Sequence, residues 1–213
     1  MLRRLFLSRL AGAPAVLGFG TRSSQTAAAP AVVKRFEADR HEQDEWYDKI
    51  PGRHRVVFDT WMAGKFSEAI GFSGNYLRAN HDGYGLTEQD LAIVIVMRHQ
   101  TAPFAFNDAM WAKYGKQFSD RMTFVDPKSG EVPKTNLYAA QVSNLVKQGA
   151  HLAICNLTTR AYTRILADAT GGTTDDIYKE LTTNTLGNSH FVPAGVVAVT
   201  RAQEHGYALV SVS

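Results

Sequence analysis

From His54 onward, apolar runs of strand length alternate with stretches of helical periodicity. That alternation is the pattern of βαβ units wound around a parallel sheet. The run RVVFDTW (55–61) predicts a first strand. A helix follows from about 64 to 80, with Phe66, Ala69, Ile70, Tyr76 and Leu77 as its apolar positions, and the glycines of HDGYG (81–85) stop it. DLAIVIVMR (90–98) is a continuous, largely β-branched run. Strands buried on both faces have this composition, so it belongs in the middle of the sheet. A second helix is expected around 104–114. The stretch MTFVDPKSGEVPKTN (122–136), with its Asp-Pro and Ser-Gly turn signals, predicts a small hairpin or an excursion. A third helix over about 137–148 leads through Gly149 into the strand HLAICNL (151–157).

The remainder continues the alternation. TTRAYTRILADAT (158–170) reads as a helix with Ala161, Ile165, Leu166 and Ala169 on one face, and Thr158 or Thr159 can cap its start. TTDDIYKELTTN (173–184) begins another, with acids in the first turn where they favour the helix dipole. A short fourth strand, a helix over about 195–205, a stop at Gly206 and a fifth strand complete the chain. The elements predict a three-layer α/β/α domain with a five-stranded, mainly parallel sheet. In such sheets ligands bind in the crevice beyond the C-terminal ends of the strands.

The first 53 residues do not share the pattern. Residues 1–31 hold paired arginines, an apolar stretch and small residues, with no acid, and read as an export leader. Arg3, Arg4, Phe6 and Leu7 give R-R-x-F-L, which resembles the twin-arginine signal and implies a periplasmic protein. Arg9 and Pro14 interrupt the apolar stretch short of the roughly 20 residues a membrane span needs, so no permanent membrane anchor is expected. Residues 32–53 are charge-rich, with Phe36, Trp46 and Ile50 among them, and predict an arm with one short helix packing over the domain. The leader changes the charge argument. Its four arginines leave with it, and the net charge falls from +3 to −1. The electrostatic case for nucleic acid goes with them.

The chain has one cysteine, Cys155, which excludes an internal disulfide framework and CxxC chemistry. No metal site or cofactor is expected: G-x-G-x-x-G, a phosphate-cradling glycine-lysine loop, G-x-S-x-G and H-E-x-x-H are all absent. Two readings of Cys155 stand. At a helix N-terminus, with backbone N–H groups and Arg160 nearby, its thiol is placed to ionise and act as a nucleophile. Alternatively it is a small apolar side chain of the core. His151, four residues upstream on the same strand face, lies about 13 Å away at strand rise, too far to pair with it. His99 ends the central strand and should emerge at the same edge. Phe104, Phe106 and Trp111 follow it, either walling a pocket beside the thiol or joining the core.

The order of these elements, the strand ending in MRHQ, the strand ending in Cys155 and the closing FVPAGVVAVTRAQEHGYALV together resemble the DsrE/DsrF-like family of sulfur-relay proteins over about 54–213. The resemblance implies a compact parallel α/β fold, a homo-oligomer, a sulfur donor or acceptor protein as partner, and a persulfide carried on Cys155. Asn156, Thr158 and Arg160 would then orient and stabilise the thiolate, and His99 and Trp111 would line the ligand pocket. The export leader, the charged arm and the 122–136 excursion depart from the family pattern. The rival expectation is a non-catalytic oligomer that binds a small ligand or partner near His99 and Trp111 and keeps Cys155 for packing.

Overall fold

The computed structural model describes residues 37–213, so the expected leader and the first residues of the arm lie outside it. Five strands, β1 (His54–Thr60), β2 (Leu91–Met97), β3 (Ala150–Cys155), β4 (Ser189–Val192) and β5 (Ala208–Val212), form one sheet in the order β4-β3-β2-β1-β5. Every pairing between neighbours is parallel. The expected α/β/α architecture is therefore present, with an all-parallel sheet.

The β2 run was legible because it is central: all seven of its residues are buried. Each Val or Ile so placed contributes about 1.5–3 kcal/mol relative to an exposed position. Alternation along the strands divides the core in two. Val56, Phe58, Ile93, Ile95, Leu152 and Ile154 face one layer of helices. That layer comprises α2 (Phe66–Tyr84), α3 (Asp108–Met122), α4 (Ala139–Lys147), α5 (Asn156–Thr170) and α6 (Thr174–Thr183). Val57, Val94, Val96, Ala153 and Val192 face the opposite side, where α7 (Gly195–Glu204) supplies Ala198 and Ala202. The arm completes this thinner layer with a single helical turn, α1 (Trp46–Lys49).

The arm packs over the domain as expected. Tyr47 is fully buried and donates its hydroxyl hydrogen bond to the Ala198 carbonyl, while Tyr207 donates to the Tyr47 carbonyl. Arg55 donates to the carbonyls of Tyr47, Ile50 and Gly52. Trp46 stacks on His190, ring centroids 3.9 Å apart, and His190 Nε2 lies 2.9 Å from His151 Nδ1. His151 thus pairs across the strands with His190.

Two boundaries differ from the pattern-based expectation, and one open alternative is decided. The second helix lies later and runs longer: His99–Ala105 is a 3-10 segment containing Pro103, and α3 begins only after Asn107, whose side chain accepts from the Met110 N–H. Asn107 is a strong cap and sets the start of α3. The 122–136 stretch is an excursion rather than a strand hairpin. Its tight turn is closed by Gly130 N–H donating to the Asp126 carbonyl. Strand β3 ends two residues early, at Cys155, because Asn156 and Leu157 already belong to α5.

Candidate functional site

The connections out of β3 and β4 leave the sheet on opposite faces: α5 packs with the five-helix layer, and α7 packs on the other side. Adjacent strands whose connections diverge open a crevice at their C-terminal ends, the topological switch point where ligands of parallel α/β sheets bind. Cys155 and Val192 are register partners at that point. Strand alternation turns the Cys155 side chain, like Ala153, to the α7 face.

Cys155 is itself the cap of α5. Its Sγ accepts hydrogen bonds from the Thr158 N–H at 3.4 Å and from the Thr158 hydroxyl at 3.2 Å. The expected capping role of Thr158 or Thr159 is therefore taken by sulfur. Thr159 instead donates its hydroxyl to the Cys155 carbonyl. The thiol is 5 % exposed. Of the two readings of Cys155, the structure shows a side chain almost closed off from solvent.

The cation whose charge couples to the sulfur is Arg98, which the sequence reading passed over. Arg98 Nε and Nη2 donate to the two carboxylate oxygens of Asp59 at 2.7 and 2.9 Å. Asp59 is only 7 % exposed. The Asp59 hydrogen bonds, then the Asp59 charge and the nearby Cys155 sulfur, outweigh burial and hold the guanidinium above its ordinary pKa. Gly195, the first residue of α7, lies against the aliphatic part of Arg98: a Cβ added there would sit 2.5 Å from Arg98 Cβ. Glycine lets the helix start approach the arginine this closely. A lone acid within the apolar run of β1 and a basic residue just past the end of β2 were the available sequence signal. Their contact depends on strand register.

The other predicted residues divide. Thr158 and His99 meet: the His99 N–H donates to the Thr158 hydroxyl oxygen at 3.2 Å. His99 has φ +52, a left-handed backbone that non-glycine residues seldom adopt outside special sites, and its ring lies beside Trp61. A cavity of about 170 Å³ opens next to this pair, lined by His99, Gln100, Arg121, Leu157, Thr158 and Tyr162 among others. Arg160 does not reach the sulfur. It stacks on Tyr178 of α6 at 4.2 Å, and Asn156 accepts the Tyr178 hydroxyl hydrogen bond at 2.8 Å. Five positions past the cap corresponds to about 140° around a helix, which turns Arg160 toward α6. Trp111 is a core residue: it is fully buried, stacked on Phe104, with its indole N–H donating to the Pro103 carbonyl at 2.9 Å. Phe104 and Phe106 are likewise fully buried. The aromatic run walls the core, not a pocket.

Among the described residues no group of three or more His, Cys, Asp or Glu side chains is arranged to hold a metal ion, and no helix is long and apolar enough to cross a membrane. No family model matches the chain, and no curated protein matches it. A solved structure of a protein of unknown function, MTH1491 from Methanobacterium thermoautotrophicum, is similar at 20 % sequence identity and a TM-score of 0.43, covering 74 % of this chain and 98 % of that one. At that level it carries no argument about this chain.

Proposed function

We propose that the protein accepts sulfane sulfur on Cys155 and passes it on, a DsrE-like relay role played at the C-terminal edge of the sheet. One observation carries the reading: the chain's single cysteine caps α5 at the switch point, with two Thr158 donors on Sγ and the Arg98 charge acting on it. The thiolate is the nucleophilic form of cysteine, and the hydrogen-bond donors are already in place on the sulfur. In the transfer step the thiolate attacks the outer sulfur of a polysulfide, persulfide or thiosulfate. A new S–S bond forms, the donor's S–S bond breaks, and the remainder of the donor leaves with the electron pair as a thiolate or as sulfite. Thr158 and Arg98 remain beside the persulfide and stabilise its charge. The export leader expected from the sequence supports a periplasmic setting, where a sulfur-handling partner protein would take the cargo.

Intact mass measurement of protein recovered from the periplasmic fraction, before and after incubation with polysulfide, tests the proposal. The expected result is a single added sulfur on the wild type and none on Cys155→Ser. No adduct, an equal adduct on the variant, or a protein absent from that fraction each removes the corresponding part of the reading.

The burial of Cys155 and the cavity beside Thr158 favour a second reading, a non-catalytic small-ligand protein whose cysteine is packing. Alkylation separates the two. A thiol that reacts in the folded protein at a rate near that of the denatured chain supports the relay, and one that reacts only in denaturant supports the binder.

A further inference from the structure

We propose that the cavity between the His99–Ala105 segment, α3 and α5 is a binding site for a small tetrahedral oxoanion. At about 170 Å³ it is well below the roughly 300–1,000 Å³ of pockets that enclose drug-sized ligands, so its occupant is small. Its lining sets the sign of the occupant's charge. Arg121 from the last turn of α3 and His99 bring basic groups, and Gln100 and the Tyr162 hydroxyl add neutral donors. No carboxylate lines it. Three further cavities among the described residues also contain arginines, and each of those includes an acid: Glu88 in one, Asp175 in another, Asp90 in the third. Arg121 takes part in no ion pair among the described residues, whereas Arg98 and Arg201 each have a carboxylate partner. Burial keeps the Tyr162 phenol protonated, and the Arg121 charge opposes that effect only in part. The phenol therefore remains a donor.

Backbone geometry holds the wall in place. His99 is fixed in its left-handed conformation with its N–H on Thr158, and the same Thr158 hydroxyl donates to Cys155 Sγ. One residue therefore touches both the anion cavity and the thiol. This deepens the relay reading, because a thiosulfate-class donor carries a sulfonate end that the cavity would hold. Only the link to transfer rests on that reading. Anion binding itself requires no chemistry at Cys155.

The test is a titration of the whole mature protein with sulfate, thiosulfate and phosphate at constant ionic strength, followed by ¹H–¹⁵N spectra, with chloride as the comparison. Saturable shifts of the His99, Gln100, Leu157 and Thr158 amides are expected with an oxoanion and not with chloride. Arg121→Gln, at an exposed position that leaves the core intact, should weaken binding at least fivefold, and Arg164→Gln elsewhere on α5 should leave it unchanged. Cys155→Ser should bind as the wild type does. That outcome alongside a failed persulfide assay removes the relay and leaves the anion site. Phosphate binding more tightly than either sulfur oxoanion supports the site while separating it from a sulfur donor. Shifts that do not saturate, that chloride reproduces, or that persist at equal affinity in Arg121→Gln overturn the proposal.

Discussion

Gly195 is the residue whose replacement tests the site's construction most directly. A methyl group there meets Arg98 Cβ and Cδ at 2.5 and 2.6 Å, so either the helix start or the arginine must move. Overpacking of this kind costs about 1–3 kcal/mol. Gly195→Ala should lower the urea midpoint accordingly and loosen the Arg98–Asp59 pair. A variant as stable as the wild type would show that the close approach is not required. Residue by residue, sequence legibility followed a simple rule. Thr158 and His99 were found because each lies at the end of an element that the apolar pattern defines. Asp59 and Arg98 were missed because their contact joins residues 39 apart through strand register. Arg160 was misplaced because nearness in sequence stood in for direction around a helix.

Among the elements, the arm is where charge chemistry meets packing. Burial, with a smaller contribution from the His151 charge, pushes His190 down from 6.5 to about 4. The folded state therefore disfavours its protonation while the unfolded state does not. Stability conferred by the neutral ring is intact above pH 6.5 and declines as pH falls from there toward about 4. Asp48 on α1 acts in the same sense at lower pH. Its pKa is lowered first by His205, whose Nδ1 lies 2.9 Å away at an angle short of a well-formed hydrogen bond, and then by Arg40 and Arg55. Its contribution is lost on acidification below 3.8. Acid should thus loosen the arm in two stages, seen as a falling urea midpoint between pH 6.5 and 4 that His190→Phe flattens. A midpoint equally steep in that variant would assign the effect elsewhere. The arm's packing was legible from its scattered aromatics, but its pairing with the two histidines was not, since His151 and His190 become neighbours only once β4 pairs with β3.

For the whole molecule, the apolar runs made strand number and the layered architecture readable, because a doubly covered parallel sheet needs continuous apolar strands. Strand order was not readable, since it is decided by which face each connection crosses. The order leaves β5 as an edge strand with Leu209 41 % and Val210 37 % exposed. An apolar edge that no described residue covers invites pairing with another chain. The homo-oligomer that the family resemblance implies is expected to form through this edge. Sedimentation of the wild type should give an oligomer that Val210→Lys dissociates to monomer; a monomeric wild type removes the assignment. The same topology bears on biosynthesis. The β4-to-β5 crossover spans the sheet, so β1, the first strand made, receives its outer neighbour only when residues 208–212 emerge. On the ribosome, the face of Val57, Val94 and Val96 has only the Tyr47 and Ile50 side chains of the arm to cover it until α7 is translated and folds back over it.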